Sequence, residues 1–232
     1  MAPATREKEP PHFFHLKKIA DICERKGLLV ISDEIHADLT LPGHQHVSYS
    51  TVSAAAAHHS LTFMAPSKTF NIAGLGSSVC HIANPELRQR FFGWLDALGV
   101  AGGNIFAFTA AETAFTHGEE WLGQMLDYLK GNVAALEAFL QSRMPKVKVV
   151  LPEASYLAWL DFSDYGLTHE ELKTRLVDTA HVALNDGTTF ACLKTKKPLS
   201  PISAVSASTL AVRNPSSSTP WNALPRLFNG DN

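Results

Sequence analysis

Two short, unbroken apolar runs constrain this chain more than any other feature: Leu28-Leu29-Val30-Ile31 and Leu61-Thr62-Phe63-Met64. Continuous rather than alternating apolar character reads as strands buried on both faces, the pattern of a parallel sheet sandwiched by helices. The first run is preceded by an amphipathic stretch from about His12 to Lys26, with Phe13, Leu16, Ala20 and Cys23 on one stripe. Gly27 is placed to end that helix, so the segment is an αβ unit. The chain is therefore expected to be α/β, and ligands of such sheets sit beyond the carboxyl ends of the strands.

Further elements follow the same logic. An alanine-rich, helix-like stretch covers Thr51 to Ala57, and Ser77 to Ile82 reads as a third strand. Asn84-Pro85-Glu86 is a helix start, with a capping Asn and Pro at the first helical position. Leu122, Leu126, Leu129, Val133, Leu136 and Leu140 space out a long helix. Val147 to Leu151 and Tyr156 to Leu160 read as paired strands, and Thr168-His169-Glu170-Glu171 as a capping box. Tyr156 and Trp159 are expected in the core of a small second domain.

Each of the two apolar runs leads into chemistry. Asp33 follows the first, within Ile31-Ser32-Asp33-Glu34-Ile35-His36. Lys68 follows the second, within Ala65-Pro66-Ser67-Lys68-Thr69-Phe70-Asn71-Ile72-Ala73-Gly74. Parallel strands would bring this acid and this amine to one edge of one sheet. A Lys buried near an Asp suits a Schiff base to pyridoxal phosphate, with the carboxylate on the pyridinium nitrogen.

These segments, with Glu119-Glu120-Trp121-Leu122, Pro152 to Phe162 and Leu184-Asn185-Asp186-Gly187-Thr188-Thr189-Phe190, resemble the class I/II aminotransferase superfamily of fold-type I pyridoxal-phosphate enzymes. The likeness runs in order from about Leu16 to Phe190 and is closest to the cystathionine β-lyase-like, carbon–sulfur lyase group. It implies a partial fold-type I large domain, a mainly parallel sheet with flanking helices, plus a small α+β C-terminal domain. It implies pyridoxal 5'-phosphate as cofactor and an amino acid as substrate. The activity implied is β-elimination of a sulfur group, with transamination as the neighbouring reaction and a non-catalytic remnant as the reading from another class. A homodimer is the implied assembly.

The resemblance also assigns roles. Lys68 would carry the cofactor and move the proton at the substrate α-carbon; the competing reading is a surface Lys at a strand end. Asp33 would pair with the ring nitrogen; the alternative is a loop cap. His36 stands where many relatives carry a Tyr that bonds the cofactor's phenolic oxygen, and a loop His without a role is the alternative. Ser67 would donate to the phosphate or serve as a turn Ser. At Gly76 many aminotransferases carry a phosphate-clamping Arg, and its absence fits the lyase-like group.

The chain departs from the family at both ends. The family's chain begins well before the helix at Leu16, and the earlier part supplies a glycine-containing phosphate loop and the aromatic that stacks on the pyridine ring. Roughly half of the parallel sheet is then expected to be absent, leaving a strand edge and an apolar face without partners. Beyond Phe190, Ser, Pro, Lys and Thr dominate and the likeness fades. The organisation expected is a remnant of the cofactor-binding large domain over residues 1–125, a small domain over 126–190 and a divergent, mobile tail over 191–232.

Composition narrows the setting. With 232 residues, 45% of them hydrophobic, and a formal net charge of −2, the chain is an ordinary globular one with no electrostatic call on nucleic acid or an anionic membrane. Residues 1–14 show no apolar core of a signal peptide, and no run is long enough to span a bilayer. Three cysteines without metal-type spacing point to reduced thiols in a cytoplasm. His44, His46, His58 and His59 lack a completing carboxylate or Cys spacing, so no metal site is expected.

Overall fold

The computed structural model describes residues 11–190 and 204–208. They fall into two compact units, with the boundary in sequence between Gln124 and Met125.

The first unit opens with α1 (Pro11–Lys26). Gly27 closes it at φ +61°, a left-handed conformation that costs Gly least. There the Gly27 N–H donates to Glu24 O at 3.1 Å and the Leu28 N–H to Cys23 O at 2.9 Å, a Schellman pair. Because Leu28 is still engaged with the helix end, the first strand starts two residues later than its apolar run, as β1 (Val30–Asp33). A crossover through α2 (Ala54–His58) leads to β2 (Ser60–Met64), which pairs with β1 in parallel, Asp33 opposite Phe63. Ser53 caps α2 by accepting from the Ala56 N–H at 3.0 Å. The single turn α3 (Pro66–Thr69) follows β2.

The third strand, β3 (Val79–His81), runs antiparallel to β2, so the sheet of order β1-β2-β3 has one parallel and one antiparallel pair. Next comes α4 (Pro85–Ala97), whose Asn84 cap accepts from the Glu86 and Leu87 N–H groups at 3.0 and 3.3 Å. Its Phe91 ring meets Phe63 of β2 edge to face at 6.0 Å. A helix not foreseen from periodicity, α5 (Ile105–His117), is capped by Asn104, which accepts from the Phe106 N–H at 2.9 Å.

An apolar cluster of Ala20, Tyr49, Val52 and Ala56 joins α1 and α2 beneath the sheet. On the other face Leu61 is buried and Phe63 meets α4, but at the edge strand Ile31 is 69% exposed; Leu28 and Leu29, just before β1, are also exposed. β1 forms one edge of the sheet, so the exposed Ile31 side chain sits on an unpaired strand edge.

The helix α6 (Glu119–Arg143) carries the chain across the boundary between units. In the second unit β4 (Lys148–Val150) and β5 (Leu157–Asp161) form the antiparallel pair expected. Then α7 (His169–Lys173) opens with the full capping box: Glu171 N–H donates to Thr168 Oγ1 at 3.3 Å and Thr168 N–H to Glu171 Oε2 at 2.8 Å. It continues as a π-helical segment, Thr174–Thr179. The short β6 (Asn185–Asp186) and β7 (Ala204–Ser208) complete a sheet of order β4-β5-β7-β6. Residues 191–203 and 209–232 of the expected tail lie outside the described residues.

The second core takes Ala158, Leu160 and Phe162 from one side of the β5 segment, packed with Leu136, Leu140 and Met144. Strand alternation sends Trp159 to the opposite face, where it is half-buried, as is Tyr156. These two aromatics therefore flank the core rather than fill it.

Candidate active site

The parallel register of β1 and β2 sets the site. With Asp33 opposite Phe63, both strands end at the same edge of the sheet, and the chain leaves β2 directly into α3, which carries Ser67 and Lys68. The Glu34 N–H donates to Phe63 O at 2.8 Å, extending the pairing one step past Asp33.

Three of the four predicted residues meet electrostatically. His36 is half-buried at the head of a short 3-10 turn, Ala37–Leu39. Burial lowers the His36 pKa, the positive charge of Lys68 lowers it further, and the Asp33 carboxylate pulls the other way. Asp33 accepts from the Ile35 N–H at 3.4 Å. Ser67 is half-buried in the same turn as Lys68, its backbone carbonyl accepting from the Ile72 N–H at 3.1 Å. Lys68 is half-buried and Asp33 exposed, more open than the buried pair expected. Asp33 lies on the same side of the edge strand β1 as Ile31, which is also exposed.

Behind Lys68, Phe70 packs on Phe115 of α5 at 5.4 Å and on Trp121 of α6 at 6.0 Å. Gly118 permits that approach, because a Cβ there would meet a Phe70 ring carbon at 2.6 Å as well as the Ala114 carbonyl. Gly76, in the position where aminotransferases carry Arg, sits at φ +63°, a conformation costly for any side chain with a Cβ.

Sequence reasoning missed the polar framework around these residues. Glu34 is buried, at 7% exposure, and accepts from Ser32 Oγ at 2.8 Å, Ser48 Oγ at 3.1 Å and the Tyr49 N–H at 3.0 Å. His46 Nε2 lies 2.8 Å from its other oxygen. The Tyr49 hydroxyl in turn meets His59 Nε2 at 3.1 Å, one residue before β2. Thr69, wholly buried, donates to Asp38 Oδ2 at 3.0 Å. No helix among the described residues is long and apolar enough to cross a membrane.

The residues present fit the amine and ring-nitrogen ends of a pyridoxal phosphate site. Among the described residues no ion pair ties up Lys68 Nζ, and the exposed Asp33 carboxylate at the same sheet edge can face a ligand.

Comparison with known proteins places the chain in a family. The family model for aminotransferase class I and II matches residues 12–211. Cystathionine beta-lyase PatB of Bacillus subtilis (strain 168) is 45% identical over 175 residues, covering 75% of this chain and 45% of PatB. Protein MalY of Escherichia coli (strain K12) is 31% identical, covering 75% of this chain and 44% of MalY. The crystal structure of cystalysin from Treponema denticola, which contains a pyridoxal 5'-phosphate cofactor, superposes with a TM-score of 0.77 at 29% identity, covering 92% of this chain and 50% of that one. The chain thus spans about half the length of the relatives it matches.

Proposed function

On the premise that the chain belongs to the aminotransferase class I and II family, we propose that it carries the Lys-bearing part of a pyridoxal-phosphate site for carbon–sulfur β-elimination. The observation that supports this most is the parallel register of β1 and β2, which sets Asp33 and the Lys68 turn at one sheet edge with His36 sensing both charges.

When bound, pyridoxal phosphate supplies an electron sink for the carbanion left at the substrate α-carbon. Lys68 Nζ would hold the cofactor's aldehyde carbon and, once displaced by the amino-acid substrate, take the α-proton. Asp33 would hold the proton on the ring nitrogen by charge. His36, kept toward its neutral form by burial and by Lys68, can donate one hydrogen bond to the cofactor's phenolic oxygen. Ser67 Oγ would donate to the phosphate. Loss of the α-proton with breakage of the Cβ–S bond would give a thiol and an aminoacrylate, which water hydrolyses to pyruvate and ammonia.

The substrate class proposed is a cystathionine-like amino acid, the assembly a homodimer, and the compartment a reducing cytoplasm, consistent with free thiols at Cys23 and Cys80. The left-handed Gly76 and the PatB likeness favour elimination over transamination. The open sheet edge at Ile31 favours, as the second reading, a chain that binds cofactor without turnover.

The test is product analysis with added cofactor and L-cystathionine. Pyruvate and free thiol in equal amounts, both lost in Lys68→Ala, are expected. An amino-group exchange without thiol release would assign the chain to transamination, and no product at all would leave only the non-catalytic reading.

A further inference from the structure

Asp38 and Thr69 come from the two segments that carry the candidate chemistry. Asp38 lies two residues after His36, in the turn that follows β1. Thr69 adjoins Lys68 in the turn that follows β2. Thr69 has no solvent exposure, yet its hydroxyl is satisfied, donating to Asp38 Oδ2 at 3.0 Å. Leu39, next to Asp38 in sequence, is equally buried.

A buried hydroxyl left without an acceptor destabilises, so this bond favours the arrangement in which the two turns meet. Between the turns, the strands fix only where each chain segment ends. A single turn of helix is too short to hold itself, so contacts outside the ladder set the direction of α3: Phe70 packs on Phe115 and Trp121 on one side, and the Thr69–Asp38 bond ties the turn to the segment after β1.

We propose that the Thr69–Asp38 hydrogen bond is a latch that fixes Lys68 against the Asp33–His36 turn, making Thr69 and Asp38 positioning residues. As a role in catalysis it rests on the reading of Lys68 as the cofactor-bearing amine. As a piece of geometry it does not, and its test uses protein without cofactor.

The readout is the titration of His36, followed by NMR and assigned with His36→Gln. Lys68 of α3 and Asp33 of β1 act on His36 by charge, and Glu34 and Asp38 lie two residues from it in sequence on its own segment. Thr69→Val keeps the volume and the net charge but removes the hydroxyl. With the latch open, Lys68 draws away and the His36 midpoint rises toward the value seen in Lys68→Met, where the cation is absent altogether. Thr69→Ser keeps the hydroxyl and returns the midpoint to that of the parent chain. If Thr69→Val yields too little folded protein, Thr69→Ala is titrated in its place.

A structural role alone would lower the melting temperature of Thr69→Val and leave the His36 midpoint where it was; that result overturns the latch. So does a shift in Thr69→Ser as large as in Thr69→Val. A second arm adds pyridoxal phosphate and borohydride: the rate of label fixation at Lys68 falls about fivefold in Thr69→Val, the loss expected for one net hydrogen bond. No label at Lys68 in the parent chain would sink the proposed function while leaving the titration to decide the latch.

Discussion

Glu34 Oε2 lies 2.8 Å from His46 Nε2, and through this carboxylate the end of β1 is tied to the loop that follows it. The carboxylate also accepts from Ser32, Ser48 and the Tyr49 N–H, groups up to 15 residues away in sequence. Burial pushes the Glu34 carboxyl up, but the bonds from His46, Ser32, the Tyr49 N–H and Ser48 together outweigh it and hold it below its ordinary value of 4.5. A carboxyl whose folded value lies below its unfolded one stabilises the fold fully above the unfolded value. That contribution is lost as the pH falls through the folded value. Glu34→Gln therefore loses this part of the acid slope below pH 4.5. Glu34→Ala, which strands several donors, costs about 2–3 kcal/mol at neutral pH. Urea unfolding from pH 7 to pH 3 checks both, and an unchanged slope in Glu34→Gln would show that another group carries it.

Thr62 poses the opposite case. It is 2% exposed and its hydroxyl has no partner. Thr62→Val removes a stranded polar atom at constant shape, and a gain of about 1 kcal/mol in unfolding free energy is expected. A loss instead would mean that the hydroxyl is satisfied in solution.

The second unit rests on its own core. Leu160, at 1% exposure, faces Leu136 and Leu140, so Leu160→Ala should cost about 3 kcal/mol. Trp159→Phe, on the opposite and half-buried face of the same strand, should cost under about 1 kcal/mol. Equal effects at the two positions would contradict the strand alternation.

The open face of β1 predicts self-association of the isolated chain. Ile31 is 69% exposed on an edge strand, beside the exposed Leu28 and Leu29. Ile31→Lys should lower the weight-average mass in sedimentation at equal concentration. No change would place the associating surface elsewhere.

Much of this was legible in the sequence because it is local. The Asn84 and Thr168 caps, the Gly27 stop and the long α6 rest on residues within a turn of one another. The meeting of Asp33, His36 and Lys68 was legible because parallel pairing of two apolar runs leaves few other arrangements. The α5 helix was not: Ile105, Phe108 and Phe115 share a face, but Phe106, Ala107, Ala110 and Ala114 carry apolar character around the rest, and the Asn104 cap was the clearer signal. Nor was the Glu34 framework legible, since its donors at 46, 48 and 49 lie in a loop whose path only the fold fixes. The half-burial of Lys68 escaped for the same reason, because it depends on how the turn after β2 packs.

The central claim is that Lys68 is the amine poised for the cofactor. The direct measurement is borohydride fixation of added pyridoxal phosphate followed by peptide mapping. The account predicts a visible absorption band and a single dominant label on Lys68, with both lost in Lys68→Ala and the label diminished in Asp33→Ala. Label spread over other lysines, with Lys68→Ala indistinguishable from the parent chain, would contradict it.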